Sequence, residues 1–142
     1  MTVEVVTGSW TQLGPAASGV RHAVFVEEQG VPVELELDHL DALSLHALAC
    51  EGATVLGTGR LLPDGHIGRM AVRRNARGAG VGSALLRALM EQARLRGDPE
   101  VLLHAQLSAR EFYRRHGYVA EGEVFMDAGI EHIAMRHRFS PG

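Results

Sequence analysis

Apolar positions along the chain change period several times, and each change predicts an element. Residues 3–7 form a short β-branched run, and after Gly8 residues 11–28 carry Ala16, Val20, Ala23 and Val24 at three- and four-residue spacings. A first strand followed by a helix is predicted. Gly30, Pro32 and the acidic stretch from Glu34 to Asp38 break that pattern, after which Leu43, Leu45, Ala47 and Ala49 alternate with Ser44, His46 and Leu48. Glu51-Gly52 and Asp64-Gly65 are turn signals on either side of residues 54–62, and the apolar segment 67–72 follows. Three strands running as an antiparallel meander fit this spacing. Beyond Gly80, residues Val81, Ala84, Leu85, Ala88 and Leu89 share one helical face while Arg87, Glu91 and Arg94 take the other, until Gly97-Asp98-Pro99 ends the helix. Residues 101–105 read as a strand, 108–116 as a short helix with Ser108 as N-cap and Gly117 as its left-handed terminator, and 118–126 and 130–139 as two closing strands around the turn 127–129. The order β-α-β-β-β-α-β-α-β-β describes an α/β (α+β) fold, a mixed central sheet of about seven strands flanked by helices.

With 142 residues, 46% of them hydrophobic, the chain suits one core, and no linker-like or repeated stretch divides it, so a single domain over 1–142 is expected. The formal charge of −3 supplies no basic field for holding a nucleic acid. No apolar run approaches the roughly 20 residues that cross a bilayer, and the start of the chain lacks a basic and then apolar leader, so a cytoplasmic protein with no membrane partner is expected. The single cysteine, Cys50, has no partner for a disulfide and sits in an alternating segment, where it reads as packing.

The segment from Arg69 to Ser83 joins a strand directly to the N-terminus of the most regular helix. Gly78, Gly80 and Gly82 remove Cβ atoms, so backbone N–H groups can close on an anion that the helix dipole also favours. Arg73, Arg74 and Arg77 add positive charge at the rim. A phosphate-binding turn is predicted. The lysine and hydroxyl of a nucleoside-triphosphate loop are missing. The Gly-x-Gly-x-Gly spacing and the lack of an acidic strand end about 20 residues later also disfavour a dinucleotide site.

The remaining pattern, Arg77-x-x-Gly80-x-Gly82 on strand-loop-helix, resembles the pyrophosphate loop of the GNAT superfamily of N-acetyltransferases. Downstream, Gln106-x-x-Ala109-x-x-Phe112-Tyr113-x-x-x-Gly117-Tyr118 is similar to that family's second signature, with Gln106 where many members carry Asn and Tyr118 where Phe is usual. Arg21-x-x-Val24-Phe25-Val26-Glu27-Glu28-Gln29-Gly30-Val31-Pro32, Glu34-x-x-x-Asp38-x-x-Asp41 and Gly129-Ile130-x-His132 extend the resemblance, over almost the whole chain, to a bacterial branch similar to the ElaA and YjcF proteins.

The resemblance implies direct transfer of the acetyl group of acetyl-CoA to a primary amine in a ternary complex, without metal. Acetyl-CoA would meet the turn Arg77, Gly78, Ala79, Gly80, Val81, Gly82 and Ser83, the backbone of Met70, Ala71 and Val72 as oxyanion donors, and Gln106, Ala109 and Tyr113 along the pantetheine arm. Such a reaction needs a base, oxyanion donors and an acid for the departing thiolate. Tyr113 is the candidate acid. Glu28, with Gln29 beside it, is the first choice on the acceptor side, ahead of Asp38, Asp41, His46 and His104. The acids Glu27, Glu28, Glu34, Glu36, Asp38 and Asp41 stand together with no lysine or arginine among them, a patch expected to attract a cationic amine.

Other classes stay open on the residues alone. A CoA-binding regulatory or interaction domain without activity would share the turn. Histidines at 39, 46, 104 and 132 invite a metal reading, but no pair has compact ligand spacing. The acceptor is undetermined, and a homodimer is expected by family analogy only.

Overall fold

The computed structural model describes residues 2–140; Met1, Pro141 and Gly142 of the expected 1–142 domain lie outside them. Strand β1 (Glu4–Gly8) leads into helix α1 (Trp10–Arg21), which starts with a capping box in which Ser9 accepts from the Gln12 N–H and the Gln12 side chain accepts from the Ser9 N–H. The two reciprocal bonds satisfy orphan donors at the helix start. The helix predicted over 11–28 does not continue regularly. At His22 it widens into a π-helix, His22–Glu28, with Gln29 N–H bonded to the Val24 carbonyl five residues back.

The acidic stretch, expected only as a break, folds into a four-residue helix α2 (Val33–Glu36) and a 3₁₀ turn, His39–Leu43. The predicted meander follows as β2 (Leu45–Glu51), β3 (Thr54–Leu61) and β4 (Ile67–Val72), with β1 alongside β2 and every ladder antiparallel. Helix α3 (Val81–Arg96) ends at Gly97 with φ of 92°, as the sequence predicts. Strand β5 (Glu100–Gln106), a 3₁₀ turn Leu107–Ala109, helix α4 (Arg110–Arg115), β6 (Val119–Asp127) and β7 (Ile130–Arg138) complete the chain. Ser108 is not the N-cap it was predicted to be: Ala109 occupies that position and no side chain caps α4.

The mixed sheet is realised as two antiparallel sheets, β1-β2-β3-β4 and β5-β7-β6. A single parallel bridge, His66 with Leu102, joins them. Past that bridge β4 and β5 hold no ladder, and the split opens toward Val72 on one side and Gln106 on the other. A bulge helps to open it. Between the pairs Thr58–Ala71 and Arg60–Gly68, one residue of β3 faces two of β4, Arg69 and Met70, and Arg69 sits at φ of 48°. A bulge of this kind bends its strand and increases its twist.

Helix α3 packs on the first sheet with Leu85, Leu86, Leu89 and Ala93 fully buried, and Val101, Leu103, Ala105 and Met135 bring the second sheet into the same core. Two strand glycines permit that approach. A Cβ on Gly57 would stand 2.9 Å from both the Ala71 carbonyl oxygen and Leu85, and one on Gly59 would stand 2.5 Å from the Met70 sulfur. Helix α1 covers the other face of the first sheet, with Ala17 and Val20 fully buried.

Candidate active site

The glycine turn takes the shape its sequence predicts. Strand β4 ends at Val72, a 3₁₀ turn spans Arg74–Ala76, and Gly80 starts α3 at φ of 82° with no side chain capping it. The first N–H groups of α3 therefore point outward without intrahelical acceptors, the arrangement that receives an anion. Gly78 also has φ of 82°, and a Cβ at either Gly78 or Gly80 would meet nothing within 4 Å, so backbone conformation rather than crowding requires glycine at both. Gly82 differs: its Cβ would stand 3.4 Å from the Phe112 ring. These residues, with Val72, Ser83, Arg87 and Arg115, line a cleft of about 620 Å³.

Arg77 rises on the rim, its Nε donating to the Val72 carbonyl at 3.0 Å. Its two terminal nitrogens donate to the two oxygens of Glu28 at 2.6 and 2.7 Å, and Arg74 lies 3.5 Å from the same carboxylate. The Arg77 bonds hold the Glu28 carboxyl below its usual range. The structure thus places Glu28 against the rim of the glycine turn, where pairing with Arg77 makes it a poor proton acceptor. Its neighbour Gln29 exchanges amide hydrogen bonds of 3.0 and 3.4 Å with Gln106 on β5. The end of the π-helix is consequently tied to both sides of the split, through Glu28 on one and Gln29 on the other.

Tyr113, on α4, is 9% exposed and meets Phe112 and Tyr118 edge-on. Burial pushes its phenol up to about 12, so it stays protonated at neutral pH. Met70, Ala71 and Val72 lie on the edge of β4 that has lost its neighbour, next to the bulge, and Ala109 precedes α4. Of the residues expected to meet acetyl-CoA, Val72, Arg77, Gly78, Gly80, Val81, Gly82 and Ser83 line one cleft, while Tyr113 is packed in the core next to Phe112, which also lines it.

The acidic patch is not a free one. Arg21, 1% exposed, is bonded to Glu36 and makes two bonds to Asp41 of 2.7 and 3.1 Å. Arg60 binds Asp38 at 2.7 and 2.9 Å and Asp41 at 2.9 Å, while Arg69 reaches Asp38 at 3.2 Å and the Glu36 carbonyl. Bonding to Arg60 brings the Asp38 carboxyl down to about 2. For Asp41, burial opposes ionisation but the bonds to Arg21 and Arg60 outweigh it and lower its pKa. The expectation that this segment draws a cation is corrected here: guanidiniums supplied from α1, β3 and β4 already neutralise Glu36, Asp38 and Asp41, and Arg77 pairs with a fourth of the six acids, Glu28. A buried charge without such partners would be far costlier.

His46 serves the same structural region. It is 1% exposed, its Nε2 lies 2.9 Å from the Asp41 carbonyl oxygen and its ring packs on Trp10. Burial lowers its pKa. His104 differs, because neither ring nitrogen bonds to protein among the described residues, and burial together with His66 and His132 lowers its pKa while Asp127 opposes the shift. No group of three or more His, Cys, Asp or Glu among the described residues is arranged to hold a metal ion.

Comparison with known proteins agrees with this arrangement. Residues 15–139 match the model of the acetyltransferase (GNAT) domain. The chain is 41% identical over 120 residues to the uncharacterised N-acetyltransferase YjcF of Bacillus subtilis, covering 82% of this chain and 86% of that one. An acyl-CoA N-acyltransferase of Pseudomonas aeruginosa superposes with a TM-score of 0.84 at 34% identity, covering 96% of this chain and 99% of the other. Escherichia coli ElaA superposes with a TM-score of 0.85 at 28% identity, over 96% of this chain and all (100%) of ElaA. With a family match over most of its length and relatives alike in sequence and in structure, the chain belongs to the GNAT family of acetyltransferases, in its ElaA/YjcF-like branch.

Proposed function

We propose that the protein transfers the acetyl group of acetyl-CoA to a primary amine, both substrates being bound together. The observation that carries this reading is the opening between β4 and β5, which begins at the His66–Leu102 bridge and ends at the uncapped N-terminus of α3. The turn from Gly78 to Ser83 would receive the pyrophosphate, and the free edge of β4 from Met70 to Val72 would hydrogen-bond the pantetheine arm and the thioester oxygen. Backbone donors of this kind stabilise a developing oxyanion without reorganising. As the amine forms the new C–N bond and the C–S bond breaks, the Tyr113 phenol gives its proton to the departing thiolate, and the proton the amine nitrogen loses passes to a base on the acceptor side or to water, from which the phenolate is reprotonated. The name of the Pseudomonas aeruginosa relative, an acyl-CoA N-acyltransferase, supports the same donor class.

Thermal unfolding with acetyl-CoA, NADH and ATP tests the donor. Saturation to about 100 times Kd adds roughly 2.7 kcal/mol, a rise of several degrees for a domain of this size. A rise with acetyl-CoA alone, followed by amine-dependent release of free thiol, is the expected result. A rise without thiol release from any amine points to a CoA-binding domain that lacks activity, and no rise at millimolar acetyl-CoA removes the reading.

A further inference from the structure

We propose that the accepted amine has an apolar or aromatic body and hands its proton to His104; this rests on the transferase reading above. Alternate residues of a strand share a face, so His104 and Gln106 leave β5 on the same side. The bond between Gln106 and Gln29 identifies that side as the one closed by the π-helix, opposite the core face of Val101, Leu103 and Ala105. His104 therefore lies on the face of the sheet opposite the cleft lined by α3 and α4, the face from which an acceptor would approach the thioester.

The surroundings of His104 are aromatic. Its ring stands edge-on to Phe125 at 5.1 Å and to His66 at 5.8 Å, and Phe125 stacks on His132 at 5.8 Å. Its cross-strand neighbour on β7 is only Ala134, which leaves space beside the ring. Across the split, the carboxylates of Glu36, Asp38 and Asp41 are matched by three guanidiniums, and Leu35 and Leu37 of the same segment are exposed. A polycation would find no free carboxylate among these three. An apolar amine would find rings to lie against and the unbonded imidazole of His104.

In the proposed step the amine nitrogen bonds the acetyl carbon and its proton passes to a free nitrogen of His104, while Tyr113 protonates the thiolate. Both groups return to their starting forms by exchange with water, and the products are an acetamide and CoA.

The test follows thiol release from acetyl-CoA by the whole chain, with 2-phenylethylamine and spermidine as probe amines. The expected result is a kcat/KM at least about 10-fold higher for phenylethylamine, and a loss of about 100-fold or more in kcat on His104→Gln, the range a positioned base supplies. The thermal shift with acetyl-CoA should survive that substitution. Phe125→Ser should raise KM for phenylethylamine severalfold and leave KM for acetyl-CoA unchanged. Preference for spermidine, no turnover of phenylethylamine, or undiminished turnover by His104→Gln would each overturn the proposal. A wild-type protein that shifts with acetyl-CoA but refuses phenylethylamine overturns the acceptor class alone; one that shows no shift fails at the earlier reading.

Discussion

Glu28 closes on both terminal nitrogens of Arg77 at 2.6 and 2.7 Å, so the guanidinium on the rim of the glycine turn is already engaged by a carboxylate. A pyrophosphate arriving at that turn competes with Glu28 for the same fork. Glu28→Gln should accordingly tighten acetyl-CoA binding severalfold in titration calorimetry, and Arg77→Ala should weaken it. A weaker complex with Glu28→Gln would show that the carboxylate assists the turn and does not compete with it.

Tyr113 is protonated and buried, and its proposed contribution is to the chemical step. With a confirmed amine, Tyr113→Phe should lower kcat about 100-fold, the low end for a general acid, with KM for acetyl-CoA nearly unchanged. The phenylalanine keeps the edge-on contacts with Phe112 and Tyr118, so the melting temperature should hardly move.

The Arg21–Glu36–Asp41–Arg60–Asp38–Arg69 network is balanced, and removing one member leaves charge uncompensated. Asp41 is 3% exposed and serves two arginines, so Asp41→Ala should cost about 3–5 kcal/mol in a denaturant titration, in keeping with other broken buried pairs. A cost below about 1 kcal/mol would mean that water enters and screens the two guanidiniums.

Acid should unfold the protein through the same network. The bonds from Arg60 hold the Asp38 carboxyl down at about 2, below its ordinary value of 3.8, so its contribution is full above about pH 4 and disappears as the pH falls toward 2. The shift corresponds to at most about 2 kcal/mol, less some screening at its exposed edge. Asp38→Asn should flatten the loss of stability between pH 4 and 2.

The glycines should separate packing from binding. Gly59→Ala drives a methyl to 2.5 Å from the Met70 sulfur and 2.9 Å from buried Leu89, so it should destabilise the fold by about 1–3 kcal/mol. Gly80→Ala meets no neighbour and should cost only the roughly 1 kcal/mol of a left-handed residue, but it sets a methyl where the phosphate would rest. Calorimetry should find acetyl-CoA affinity lost in the second variant while its melting temperature stays close to wild type.

The sequence made α3, the meander and the glycine turn legible because each depends on local periodicity or on glycine at fixed offsets. The charge balance around Asp38 and Asp41 was not legible. Its arginines come from positions 19 to 31 residues away in the chain, and a run of acids with no nearby lysine or arginine resembles a solvated loop until the fold brings Arg21, Arg60 and Arg69 to it. Arg60 and Arg69 gave a faint signal as charges inside otherwise apolar strands. The left-handed Arg69 and the bulge it makes carried none, because that conformation is imposed by the register of β3 on β4. Tyr113 was identified through the family resemblance, and its burial adds a physical reason for its protonation. Glu28 was found by the same route, but its pairing with Arg77 spans 49 residues and only the fold reveals it.

The π-helix at His22–Glu28 has a consequence for the kinds of mutation this chain can tolerate. A π-turn amounts to one residue more than an α-helix would use, and each residue of an α-helix turns the next by about 100°. Deleting a single residue between His22 and Glu28 would let the helix relax to ordinary geometry and swing Glu28 and Gln29 away from Arg77 and Gln106 together. At this site length is inherited as strictly as chemistry: substitutions along the exposed side of the segment should pass, while a one-codon deletion should undo both ties at once.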